Sequence, residues 1–322
     1  MGNLDEYVEY RVSLYILRIV PPLLLVFGTA GNVTSIVILM QRKNRISSTA
    51  RFLTALAVCD TLSLLVTVSR NWPIVMFDVS IAHTSPIACK CYGFLVYFSS
   101  ETSSWFIVAI TVERFVCIFC PHRTKQICSL QRSNTVIMCI FTALFLFNVH
   151  LLFGMSIGEN SKCYPTGDMY AEFYFKIWPI VKISVASIIP FLIVFVGNTS
   201  IMIKMRRRER SFRNQNVKSS RLMVTLVLLN VVFLVCITPM ALFMLFLGKR
   251  YLNLGDTHED AVVLLLWSVV NVLYFTNNAV NFLLYFLSGS RFRKEVRNLC
   301  CVKSWCHSAA TDSTAQKQTG NK

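Results

Sequence analysis

The stretch LMVTLVLLNVVFLVCITPMALFMLFLG, Leu222–Gly248, contains no Asp, Glu, Lys or Arg. A helix crossing the ~30 Å hydrocarbon core of a bilayer needs roughly 20 mostly apolar residues. This run exceeds that length and lacks the alternation of polar and apolar positions that a barrel strand carries. It reads as a membrane-spanning helix, in which every backbone polar group is satisfied within the segment. Outward from it, Ile19–Met40, Ser133–Gly158, Ile183–Ile203 and Ala261–Ser290 are also free of those four residues. Phe52–Ser69 contains only Asp60, and Cys91–Val112 only Glu101. The expected fold class is an all-α membrane protein, a bundle of seven transmembrane helices.

Composition agrees. Of 322 residues, 54% are hydrophobic and 15% charged, with a mean hydropathy of +0.54. Soluble proteins carry about 25% charged residues, so a water-soluble globular enzyme is excluded. The 24 Phe, 11 Tyr and 5 Trp exclude intrinsic disorder. The formal net charge is +16, and it lies in the loops, where a membrane surface or a cytosolic partner fits better than nucleic acid.

The charges orient the bundle. The N-terminus and the loops after spans two, four and six hold nine basic residues against ten acidic ones. The opposite side holds 23 basic residues against four acids, Glu113, Glu209, Glu295 and Asp312. Lys and Arg accumulate on the cytoplasmic side, so the N-terminus is expected outside and the C-terminus inside. The opening residues are acidic (Asp5, Glu6, Glu9) and the first apolar run is of full span length, so no cleavable signal peptide is expected. The expected organisation is a short extracellular N-terminus (1–18), the seven-helix domain (19–290), and a short amphipathic basic helix with a cytoplasmic tail (291–322).

Such a topology suits a receptor, a transporter or a channel. Ionisable groups inside spans are costly and mark function. Asp60, Glu101 and His150 are few for an ion-coupled transporter, which places several such groups near the midplane. Single residues narrow the class further. Gly31-Asn32-Val33 lies in span one, Leu56-Ala57-Val58-Cys59-Asp60 in span two, and Glu113-Arg114-Phe115 ends span three, with Pro121 beyond it. Pro190 lies in span five, Phe233-Leu234-Val235-Cys236-Ile237-Thr238-Pro239 in span six, and Asn281-Phe282-Leu283-Leu284-Tyr285 in span seven. In this order the motifs resemble those of the rhodopsin-like G-protein-coupled receptors, over nearly the whole chain. The run Asn277–Tyr285, with Thr111–Phe115 and Ile127-Cys128, is similar to invertebrate neuropeptide receptors, including the FMRFamide-receptor-like group.

The resemblance implies a plasma-membrane receptor that is not an enzyme and that activates a heterotrimeric G protein. Arrestin and a receptor kinase would act through the tail. It assigns coupling and switching to Glu113, Arg114, Pro190, Phe233, Pro239, Asn281 and Tyr285. A guanidinium such as Arg114 can pair with its neighbour in one state and face a protein partner in another; the plainer reading is a snorkelling Arg. Pro190 and Pro239 each remove a backbone hydrogen bond and permit a kink. Asp60, with Ser103, Asn277 and Asn281, resembles the family's sodium or water pocket; no other metal and no cofactor is expected. Cys89 lies 25 residues before Arg114, the family's spacing for a disulfide to the second outer loop, where Cys163 is its only cysteine. Cys91 competes with Cys89 for that bond.

The chain also departs from the pattern. Ile237 replaces a Trp, Phe282 a Pro and Asn198 a Tyr, and Ser219 stands where an acid often faces the span-three Arg. After span seven, Ser290–Val296 reads as an amphipathic helix lying on lipid. Cys300 and Cys301 follow, in a setting for palmitoylation or as plain thiols.

Absences bear on the ligand. Val96 occupies the position of the amine receptors' Asp, and Phe275 that of the opsins' Lys, so a peptide is expected instead. Glu101 and Lys182 join Val96 and Phe275 as candidate pocket residues. Asp168, Glu172, Asp256, Glu259 and Asp260 offer acids to an Arg-bearing, RFamide-type peptide. The rival reading is a seven-helix small-solute transporter or channel.

Overall fold

In lipid, helices gain little from hydrophobic association with one another, so close backbone approach and internal polar contacts hold a bundle together. The computed structural model, which describes residues 4–41, 44, 47–158, 162–211, 217–252, 254–288 and 292–299, is built in this way. Its helices are α1 (Val8–Leu39), α2 (Ser48–Phe77), α3 (Pro86–Phe119), α4 (Leu130–Gly154), α5 (Asp168–Arg207), α6 (Val217–Phe246) and α7 (His258–Ser288). Residues 292–299 are also helical. Among the described residues, six of the seven are long and apolar enough to cross a membrane, and α6 contains the shorter apolar helix Val231–Phe246. This is the seven-helix bundle that the sequence led us to expect.

The helix ends follow local chemistry. Ser85 caps α3, its hydroxyl accepting from the Ala88 N–H at 3.1 Å, with Pro86 in the first turn. Asp78 closes α2 in the left-handed conformation at φ 55°, its N–H returning to Ile74 O. Two boundaries differ from the apolar windows. Helix α1 starts at Val8, eleven residues before Ile19, because its first turns carry polar side chains in helical conformation. The expected span Ser133–Gly158 stops being helical at Gly154. There the chain enters strand β1 (Met155–Ile157), which pairs antiparallel with β2 (Cys163–Pro165), Met155 opposite Pro165.

Helix α5 widens into π-turns at Phe173–Ile177 and Ser184–Ile188. The second lies just before Pro190, which has no N–H to offer the carbonyls behind it. Trp105 of α3 donates its indole N–H to the Val185 carbonyl at 3.1 Å, so the irregular turn is satisfied from across the bundle.

Helix α1 packs on α2 and α7, α6 on α7, and α3 against α2, α4 and α5. A β-carbon on Gly28 would meet Leu64 Cδ1 at 2.6 Å, and one on Gly31 would meet Phe282 Cβ at 2.8 Å. The space that Gly31 leaves is the space Phe282 fills. The main core joins Phe52, Leu56, Phe106, Ile110, Val194, Phe233, Ile237 and Tyr285. A second cluster, Cys89, Phe94, Leu151, Met155 and Trp178, lies beneath the hairpin. Large apolar side chains such as Phe27, Phe195, Val235 and Leu245 point outward, as lipid contact requires.

Candidate functional site

The end of α3 meets the start of α2 in a polar clasp. Glu113 is 7% exposed. Ser48 Oγ donates to its Oε1, and Thr49 Oγ1 donates to its Oε2 at 2.8 Å. Arg114 Nη2 lies 4.0 Å from Glu113 Oε2 and donates to Thr49 Oγ1. The N-terminus of the long helix α2 also favours a carboxylate at this point. Arg114 Nε is buried without a partner among the described residues. Glu113 and Arg114 were legible in the sequence. Ser48 and Thr49 were not, and their only signal was a Ser-Ser-Thr run (residues 47–49) after a basic loop.

Toward the middle of the bundle, Asp60 is fully buried. Ser103 Oγ donates to its Oδ1 at 2.5 Å and Asn281 Nδ2 to its Oδ2 at 2.6 Å. Asn277 departs from expectation: its amide turns to Asn278 Oδ1 at 3.4 Å rather than to Asp60. Asn278, which the sequence reading passed over, donates to Ser63 Oγ at 2.8 Å and accepts from Asn32 Nδ2 on its carbonyl at 3.1 Å. The polar interior thus holds two sets of bonds, one joining α2, α3 and α7 at Asp60 and one joining α1, α2 and α7 at Asn278. Around it, Phe233 and Ile237 are buried, Pro190 is buried, and Pro239 is half-buried. Tyr285 is buried with its hydroxyl unpartnered among the described residues, its ring 5.7 Å from that of Phe292. Arg293 Nη1 caps the end of α7, donating to the carbonyls of Phe286 at 3.1 Å and Leu287 at 2.6 Å.

At the opposite end, Cys89 is bridged to Cys163 with Cα atoms 5.5 Å apart, and Cys91 is free and exposed. The bond ties β2 to the first turn of α3. Beneath it, His150 Nδ1 lies 2.8 Å from Tyr170 Oη, and its ring meets Trp178 at 4.3 Å. Lys182 Nζ sits 4.4 Å from the centre of the Tyr97 ring. Val96 is half-buried on α3. Phe275 lines a separate cleft with Leu17, Trp72, Trp267 and Asn271.

Two expectations for this end change. Glu101 is 1% exposed and faces α4, where Asn148 Nδ2 donates to its Oε2 at 2.6 Å. Asn148 is itself fully buried, so Glu101, a candidate pocket residue, is bonded within the bundle. Three of the five acids offered to a ligand are already paired within the chain. Glu172 bonds Lys176 at 2.7 Å, and Arg250 holds Glu259 at 2.7 Å and Asp260 at 3.2 Å. Asp168 and Asp256 remain exposed. Asn148→Leu is expected to lower the stability of the detergent-solubilised protein by about 3 kcal/mol, since it strands a buried carboxyl group. Unchanged thermal unfolding would show that Glu101 does not depend on Asn148.

Among the described residues, no group of three His, Cys, Asp or Glu side chains is placed to hold a metal ion. Cys300 and Cys301 lie outside the described residues, as does the side chain of Ser219. Residues 31–285 match the family model described as "7 transmembrane receptor (rhodopsin family)". The chain belongs to that family. It is a receptor and not an enzyme. The thyrotropin-releasing hormone receptor of Mus musculus is 23% identical to it, over 95% of this chain and 84% of that protein. A neuromedin U receptor homologue of Caenorhabditis elegans is 22% identical, over 90% of this chain and 83% of that protein. Neuromedin-U receptor 2 of Rattus norvegicus is 25% identical, over 88% of this chain and 75% of that protein. This receptor is a multi-pass membrane protein.

Proposed function

We propose that the receptor binds an extracellular peptide at its disulfide end and activates a heterotrimeric G protein at its Arg114 end. It would sit in the plasma membrane, N-terminus outside and C-terminus in the cytoplasm. The observation that carries this reading is the clasp of Glu113, Arg114, Ser48 and Thr49: a buried carboxylate holds a guanidinium that a protein partner can claim once the helices separate. The strong basic excess on the same side supports the orientation. The names of the relatives support a peptide ligand. An RFamide-type peptide is the finer reading, with exposed Asp168 and Asp256 as its acidic partners. Val96, Lys182 and Phe275 would line the pocket, and Glu101 would shape its wall from behind. Arrestin and a receptor kinase would engage the tail.

The test is guanine-nucleotide exchange on purified heterotrimers, with the receptor in lipid discs and a peptide library as the source of agonist. Peptide-dependent exchange supports the reading. Solute flux through receptor-bearing vesicles, with no exchange on any heterotrimer, would favour a transporter.

A sodium ion fits the polar interior. The Asp60 carboxylate and the Ser103 hydroxyl bonded to it are oxygen donors of the kind a hard cation takes. Held there, the ion would favour the resting state and oppose agonist by the same coupling free energy. Sodium is therefore expected to lower agonist affinity about fivefold or more, an effect at the low end of allosteric couplings. The effect should vanish in Asp60→Asn, measured by agonist competition in sodium against a large organic cation. A sodium effect of full size in Asp60→Asn would move the site elsewhere.

A further inference from the structure

Two thiols meet where the coupling site ends. Cys117 lies on α3, three residues after Arg114, and Cys128 lies in the following loop, after the short helix Thr124–Ile127. Their sulfurs are 3.3 Å apart, and both side chains are half-buried. A disulfide needs about 2.05 Å, so a small shift of the loop suffices to join them. Neither residue is used by the switch described above, and the pair is distinct from the Cys89–Cys163 bond at the other end of the bundle.

We propose that Cys117 and Cys128 form a reversible oxidation site that pins the second inner loop to α3 and depresses coupling to the G protein. The inference rests on the orientation and coupling proposed above, which put the pair in the cytosol. There a disulfide is transient and regulatory rather than structural. The oxidant is a hydroperoxide. The Cys117 thiolate attacks its peroxide bond, giving the sulfenic acid and releasing water or an alcohol. The sulfur of Cys128 then attacks that sulfenic sulfur, the S–S bond forms, and the sulfenic hydroxyl leaves as water with the Cys128 proton. Two electrons pass to the peroxide, and a thiol reductant returns them. Burial first, then the adjacent Cys117 thiol, pushes the Cys128 thiol up to about 12. Cys128 is thus the resolving partner, and its contact with Cys117 offsets its small thiolate fraction. Once closed, the bond fixes Pro121–Cys128 beside Arg114, against the rearrangement that partner insertion requires.

The simpler alternative is a pair of small apolar side chains in contact, and the experiment separates the two. Receptor in lipid discs is treated with hydrogen peroxide, alkylated and digested with trypsin. Cleavage at Arg114, Arg123, Lys125 and Arg132 puts Cys117 and Cys120 in one peptide and Cys128 in another. The expected product joins the two peptides through Cys117. Basal exchange on the heterotrimers should fall about fivefold, and a thiol reductant should restore it. Cys120→Ser should respond as the unmodified receptor does, while Cys117→Ser and Cys128→Ser should be insensitive to peroxide. A bond through Cys120, no bond at peroxide concentrations that oxidise exposed thiols, or a bond that leaves exchange unchanged would each overturn the proposal. If the reduced receptor drives no exchange at all, the coupling reading fails. The peptide map still decides by itself whether the pair oxidises.

Discussion

Glu113→Gln is expected to raise ligand-independent nucleotide exchange about tenfold, a shift of ~1.4 kcal/mol toward the active state. The carboxylate accepts from Ser48 and Thr49 and stands 4.0 Å from Arg114. Each hydrogen bond to a charged acceptor contributes roughly 1.5–3 kcal/mol. Gln keeps the shape and part of the hydrogen bonding but removes the charge, so only a fraction of that sum is lost. The sign follows from where the bonds exist: they join α2 to α3 in the clasped state and must break before Arg114 meets a partner. Ser48→Ala with Thr49→Val is expected to act in the same direction with a smaller effect, because it leaves Glu113 beside Arg114. The measurement is basal exchange per receptor at matched surface density. Wild-type basal exchange in Glu113→Gln would mean that the clasp does not hold the resting state.

The seven spans were legible because charge-free runs of membrane length have few other readings, and Arg114 because its neighbour and its place at a span end mark it. The partners were less legible. Ser48, Thr49, Asn278 and Ser63 are ordinary polar residues, and only helix packing brings the first two to Glu113 and Asn278 to Ser63 and Asn32. Asn277 and Asn278 are adjacent in sequence, so one residue of helix rotation, about 100°, decides which reaches Ser63 and Asn32. Likewise the end of α4 was set by pairing of Met155–Ile157 with Cys163–Pro165. Hydropathy does not register such a pairing, since Met and Ile suit a strand as well as a span.

The departures from the family pattern also acquire reasons. Phe282 stands where a Pro is usual, and its bulk is received by Gly31 on α1. Its ring lies 6.0 Å from Phe286 and 5.7 Å from Phe292. Contact between α1, α7 and the helix at 292–299 thus runs through an aromatic group rather than a proline kink. Ile237 lies in the same core as Phe106 and Phe233, filling with a smaller side chain the level where the family has an indole. Together they leave Asn281 free to bond Asp60 while α7 continues unbroken to Ser288.

Cys163→Ala is expected to abolish surface expression or ligand binding. The bond it removes closes a loop between residues 74 positions apart. A native disulfide typically contributes about 2–4 kcal/mol, a large fraction of the ~5–15 kcal/mol by which folded domains are stable. The loss is local as well. Strand β2 is held by the three residues of β1, by this bond and by the Tyr164 ring against Phe175 at 5.4 Å, and the cluster of Phe94, Leu151, Met155 and Trp178 packs beneath it. Without the tether the hairpin loses its fixed place over α3, and the disulfide end loses its shape. Cys91→Ala should be close to neutral, since Cys91 is exposed and unbonded. Cys89→Ala should match Cys163→Ala, and the double substitution should be no worse than either single one, because both remove the same bond. Surface labelling, peptide binding and thermal unfolding of solubilised receptor measure the four variants. Wild-type unfolding and binding in Cys163→Ala, or a loss in Cys91→Ala equal to that in Cys89→Ala, would show that the receptor does not depend on the Cys89–Cys163 bond.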